Sequence, residues 1–139
     1  MTVVIDASVV IKWLLQDPEH EAGTDKATQL MEVVIRGEQS VLQPTHWLVE
    51  VGAVLARESP ATAADDVMML SALELPATEE LQILRRGVEL GIELKQHVFD
   101  TFYHAVALEN RDSVLITADR RYLRAAREKG QIIDLMDWK

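Results

Sequence analysis

Two apolar runs of this chain each lead into a polar turn that carries an acid, and most of the rest follows a helical period. Val3, Val4 and Ile5 form one run and Val114, Leu115 and Ile116 the other. Continuous runs of mostly β-branched residues predict strands buried on both faces, as in the centre of a parallel sheet. Val9, Val10, Trp13 and Leu14 predict a short helix that stops at Gln16-Asp17-Pro18. Ala27, Leu30, Met31 and Val34 predict a second helix over 25–36, closed by Gly37. A short strand is expected over 40–43. Pro44 and the cap Thr45 then open a helix with Trp47, Leu48, Val51, Val54 and Leu55 inward.

Further along, Val67, Met68 and Leu70 predict a helix over 61–73, and Leu73-Glu74-Leu75 alternates as a short strand would. The longest periodic segment, 78–94, is expected to turn Leu81, Leu84, Val88 and Ile92 inward behind a Thr78 cap, with Arg85 and Arg86 in solvent. Phe99, Tyr103, Val106 and Ala107 predict the next helix. After the strand 113–117 come a basic helix over 120–129, a stop at Gly130 and a last strand over 131–134. Strands alternating with helices predict an α/β fold with a central parallel sheet and helices on both faces.

Composition narrows the chemistry. The 139 residues, 48% hydrophobic and 27% charged, suit a single folded domain over 1–139 with a real core. There is no cysteine. Any bound metal is therefore held by oxygen or imidazole, and a cytoplasmic setting is expected. No apolar run approaches the ~20 residues of a membrane span, so no membrane partner is expected. The net charge of −9 argues against a long generic grip on nucleic acid, which relies on phosphate neutralisation. It suits a basic protein partner.

Four acids stand where the pattern sends chemistry. Asp6 follows the first apolar run directly, Asp119 stands three residues past the second, and Glu50 and Asp100 fall early in predicted helices. In a doubly wound sheet, strand ends of one sense share an edge with the starts of the helices that follow them. Each acid also has a plainer role. Asp6 or Ser8 could cap a helix, Glu50 could bend into water, and Asp100 could answer a helix dipole. His104, one turn after Asp100, reads as a hydrogen-bonded support beside it. If the four acids converge, like charges about 5 Å apart cost on the order of 3 kcal/mol per pair at an effective dielectric of ~20. A divalent cation relieves that cost. An all-oxygen set selects Mg²⁺ or Mn²⁺ over zinc, and phosphodiester hydrolysis is the chemistry such a site suits.

Four segments carry a resemblance. Asp6-Ala7-Ser8, the segment from Pro44 to Glu50 (Pro-Thr-His-Trp-Leu-Val-Glu), the segment from Phe99 to Ala105, and the segment from Ile116 to Tyr122 resemble, in order, the acidic motifs of PIN-domain ribonucleases. In size and compactness the chain is similar to the VapC-type toxins of toxin–antitoxin pairs. The resemblance implies a three-layer PIN-like fold in which Asp6, Glu50, Asp100 and Asp119 bind one or two Mg²⁺ (or Mn²⁺) and cut RNA. It further implies Ser8 and Thr117 as hydroxyl supports, a homodimer, and an antitoxin whose basic tail enters the acidic groove. The family often carries an Asn shortly after this Glu, where the chain has Gly52. Arg120, Arg121, Arg124 and Arg127 could supply phosphate contacts or simply face solvent. Two alternatives stay open. One is a PIN-fold binding module with weakened catalysis. The other is a receiver-like phosphoacceptor, which wants paired acids near the first strand and a late lysine where Asp119 stands.

Overall fold

The computed structural model describes residues 1–15 and 22–139. The expected helix stop at Gln16-Asp17-Pro18 lies outside the described residues. In chain order the elements are β1 (Thr2–Ile5), α1 (Ala7–Leu15), α2 (Thr24–Ile35), β2 (Gln43–Pro44), α3 (Trp47–Glu58) and α4 (Ala63–Ala72). They continue as β3 (Ala77–Thr78), α5 (Leu81–Leu94), α6 (Val98–Leu108), β4 (Ser113–Thr117), α7 (Arg120–Ala126) and β5 (Ile132–Asp134). A 3-10 turn, Arg127–Lys129, extends α7 to the Gly130 stop, where φ is +80°.

The two apolar runs are neighbours. β1 pairs in parallel with β4, Ile5 opposite Ile116, and β4 pairs in parallel with β5. A second parallel pair, β2 and β3, joins this sheet at β1 through a bridge between Val3 and Val41. The buried Gln43 side chain extends that junction. Its Oε1 accepts from the Ile5 backbone N–H at 2.8 Å and its Nε2 donates to the Ile5 carbonyl at 2.9 Å. An amide thus replaces the ladder bonds that the diverging strand cannot make. Helices cover both faces of the sheet, and Val4, Ile5, Leu115 and Ile116 are fully buried.

Several boundaries differ from the sequence pattern. The strand expected over 40–43 is β2 at Gln43–Pro44, and α3 starts at Trp47 with His46, not Thr45, in the cap position. The segment at Leu73-Glu74-Leu75 is not a strand, because Glu74 adopts a left-handed φ of +50° after α4. Thr78, expected as a cap, lies in β3, and Met68 and Phe99, which helped to predict their helices, are exposed.

The main correction concerns α5. Leu81, Leu84, Val88 and Ile92 face outward, and the buried stripe is Ile83, Gly87, Leu90 and Gly91. Counting large apolar residues selects the wrong face, because the glycines let α6 approach closely. The Thr101 hydroxyl of α6 donates to the Gly87 carbonyl at 2.6 Å, and a Cβ at Gly87 would lie 2.2 Å from a Phe102 ring carbon. We expect Gly87→Ala to cost about 1–3 kcal/mol through forced displacement of that ring. A thermal melt reads this as a fall on the order of 5 °C, and an unchanged midpoint contradicts the close approach.

Candidate metal centre

The carboxyl ends of β1 and β4 are laced together around one carboxylate. Asp6 ends β1 and is 7% exposed. Its Oδ2 accepts from the Ser8 N–H at 3.1 Å, the Ser8 hydroxyl at 2.5 Å and the Thr117 hydroxyl at 3.3 Å. The Ser8 Oγ accepts in turn from the Ala118 N–H at 3.0 Å, and the Thr117 Oγ1 from the Asp119 N–H at 3.0 Å. Every one of these bonds joins or orders the two strand ends. Asp6 therefore caps α1 and is also fixed at the sheet edge.

The other acids arrive on helices. Glu50 and Asp100 lie in the first turns of α3 and α6. Asp119 caps α7, its Oδ1 accepting from the Tyr122 N–H at 3.0 Å, which commits one carboxylate oxygen and leaves the other outside that bond. Asp6, Glu50, Asp100 and Asp119 all line one cleft of about 330 Å³, together with Ser8, Lys12 and Val54. Asp100 and Asp119 also line an adjoining cleft of about 320 Å³ with Lys95, Gln96, His97 and Arg121. Of the four late arginines considered from sequence, Arg121 reaches this second cleft, and Arg120 pairs with Asp134 at 3.3 Å.

Charge is unbalanced here. Burial pushes the Asp6 carboxyl up to about 7, with the Asp100 and Glu50 charges adding to it and the Ser8 bonds opposing it. Burial, then Glu50 and Asp119, push Asp100 up to about 6 against the nearby His97 and His46. The Tyr103 phenol is driven above its usual range by burial and by the same carboxylates. Glu50 Oε2 and the Tyr103 hydroxyl are buried without a hydrogen bond. A buried carboxylate oxygen that makes no directed hydrogen bond, in a cleft lined by carboxylates, is an arrangement a cation completes.

Among the described residues, no three His, Asp or Glu side chains stand close enough to close round an ion by themselves. The acids ring a cleft; they do not meet at one point. A hard cation still fits, because Mg²⁺ keeps several of its own waters and needs only one or two protein carboxylates directly.

One sequence expectation resolves differently, and two further positions gain a role. His104 does not support Asp100; it is buried, with Nδ1 at 3.0 Å from the Tyr122 hydroxyl and Nε2 at 2.8 Å from the Gly130 carbonyl, tying α6 to α7. Its reach across to α7 is invisible in the local spacing. A Cβ at Gly52 would meet Val67 of α4 at 3.3 Å, so that position serves the α3–α4 approach. His46, carrying no role in the sequence reading, stands beside Glu50 with Nε2 at 3.0 Å from Oε2. Its signal was the separation of four residues, which puts both on one helix face.

No match to the chain is found among curated proteins. Residues 3–128 match the PIN domain family, a span that starts within β1, contains all four acids and ends in the turn after α7. PIN domains are generally nucleases and typically bind divalent metal ions, which displaces the receiver-like alternative. By that match, and with its parallel sheet flanked by helices, the chain belongs to the PIN domain family.

Proposed function

We propose that this protein is a Mg²⁺- or Mn²⁺-dependent endoribonuclease, the toxin of a type II toxin–antitoxin pair. The observation that carries the nuclease reading is the cleft that Asp6, Glu50, Asp100 and Asp119 share, with a buried Glu50 oxygen that makes no directed hydrogen bond and has the His46 ring nitrogen 3.0 Å away. When bound, a divalent cation supplies positive charge against the phosphate and acidifies a water. Asp6 is the fixed acceptor, held at the strand end by Ser8 and Thr117. Asp100 and Asp119 stand between the two clefts, so a phosphodiester beside them has carboxylates on one side and Lys95, His97 and Arg121 on the other. Lys95 and Arg121 form no ion pair among the described residues. They offer RNA phosphates local positive charge beside the acids in a chain whose net charge is −9.

The toxin assignment rests on the resemblance and on charge, because an acidic cleft accepts a basic side chain of an antitoxin. The outward apolar stripe of α5, with Leu81 78% and Ile92 75% exposed, supports the homodimer. Purified protein is expected to cleave a structured RNA with Mg²⁺ or Mn²⁺ and to stop when the cation is chelated. Lys95→Ala and Arg121→Ala each lower the slope of log affinity for single-stranded RNA against log salt by about 0.7 for each phosphate no longer neutralised. Intact RNA in the presence of either cation defeats the reading. Growth arrest on expression, relieved by the product of an adjoining small gene, tests the toxin role.

A further inference from the structure

His46 stands one helical turn ahead of Glu50, at the threshold of α3. Its Nε2 lies 2.9 Å from the Phe99 carbonyl oxygen and 3.0 Å from Glu50 Oε2. A backbone carbonyl and an ionised carboxylate both only accept, so the proton resides on Nε2 whether the ring is neutral or charged. The directed hydrogen bond runs to Phe99. Glu50 Oε2 lies beside the same N–H without a bond of its own. Phe99 is the residue before Asp100, so one ring nitrogen touches the acid of α3 and the peptide that leads into the acid of α6. The ring itself is wedged among aromatics, stacked on Phe99 at 5.5 Å and edge-on to Phe102 at 5.4 Å and Tyr103 at 5.0 Å.

We propose that His46 is a positioning residue for the cation site, setting the separation between Glu50 and Asp100 by clamping α3 to the first turn of α6. The inference rests on the reading that these carboxylates hold a divalent cation. Elements that bring carboxylates together are pushed apart by their charge until a cation arrives. A neutral or cationic donor placed between the two supports opposes that push without occupying the cleft. Groups that orient metal-binding residues in this way typically cost about 10–100-fold in metal affinity when removed.

A purely structural role for the ring is separable from this one. His46→Phe keeps an aromatic ring among Phe99, Phe102 and Tyr103 and deletes the donor. His46→Gln loses the ring and returns an N–H close to the position of Nε2. Calorimetric titration with Mn²⁺ is expected to show the Phe variant binding about 10-fold or more weakly than the parent, and the Gln variant recovering most of that loss. His46→Leu replaces the Phe variant if the latter does not fold. Equal Mn²⁺ affinity in the parent and the donor-less variant overturns the proposal, as does a Gln variant no better than Phe. A parent that binds neither Mn²⁺ nor Mg²⁺ overturns it together with the cation reading. A parent that binds Mn²⁺ and leaves RNA intact removes only the ribonuclease assignment.

Discussion

Asp6→Asn is expected to lower RNA cleavage by about 10³-fold, the scale at which loss of one preorganised electrostatic group acts on catalysis. The same substitution is expected to make the cation-free protein more stable at neutral pH. The carboxylate is buried, with Asp100 and Glu50 charges nearby, and its displacement from 3.8 to about 7 measures how poorly the fold tolerates that charge. At about 1.4 kcal/mol per tenfold the full penalty is on the order of 4 kcal/mol, and an amide recovers on the order of 2 kcal/mol after losing part of the acceptance from Ser8 and Thr117. Cleavage assays and thermal melts on one preparation read both effects. A variant that is both inactive and less stable assigns Asp6 to the scaffold, and one that cleaves normally removes it from the chemistry.

The second large effect is the pH dependence of stability without divalent cation. In the unfolded chain both carboxyls release their protons near 3.8, and in the fold near about 7 for Asp6 and about 6 for Asp100. Between those limits the native state binds more protons than the unfolded state, so the slope of unfolding free energy with pH is negative. Stability from these two groups is fully present below about pH 4 and is lost as pH rises to about 7. His104, lowered from 6.5 by burial, works in the opposite sense below pH 6.5 because the unfolded imidazole takes up the proton first. Subtracting the Asp6→Asn profile isolates the Asp6 part. On the proposed cation reading, Mg²⁺ at a concentration 100-fold above its dissociation constant is expected to restore about 2.7 kcal/mol at neutral pH. A profile that rises between pH 4 and 7 in both proteins contradicts the charge imbalance.

The central strands and the edge they form were legible because Val3 to Ile5 and Val114 to Ile116 admit few other placements than a doubly buried parallel pair. The acids that follow these runs shared that legibility, since a strand end fixes the direction of what comes next. The orientation of α5 was not legible. The outward stripe carries more large apolar residues than the buried one, and the choice between them is made by Gly87 and Gly91, whose contribution is the absence of a side chain. His104 was misread for a related reason: helical spacing reports neighbours on the same element, and its partners, Tyr122 and Gly130, belong to another. The contact of His46 with Phe99 and that of Gln43 with Ile5 span 53 and 38 positions, a distance no local pattern encodes.

The Thr117 hydroxyl meets Asp6 across a sequence separation of 111 residues. During synthesis β1 emerges first and waits for its partner until β4 has left the ribosome, and closing so long a loop places this step late in folding. A nascent chain shorter than β4 has the first carboxylate without the hydroxyl, the neighbouring strand or the last acid. In a protein of this design the shared edge exists only once β4 and the start of α7 have been made, so the product of a message stopped before them lacks the assembled cleft.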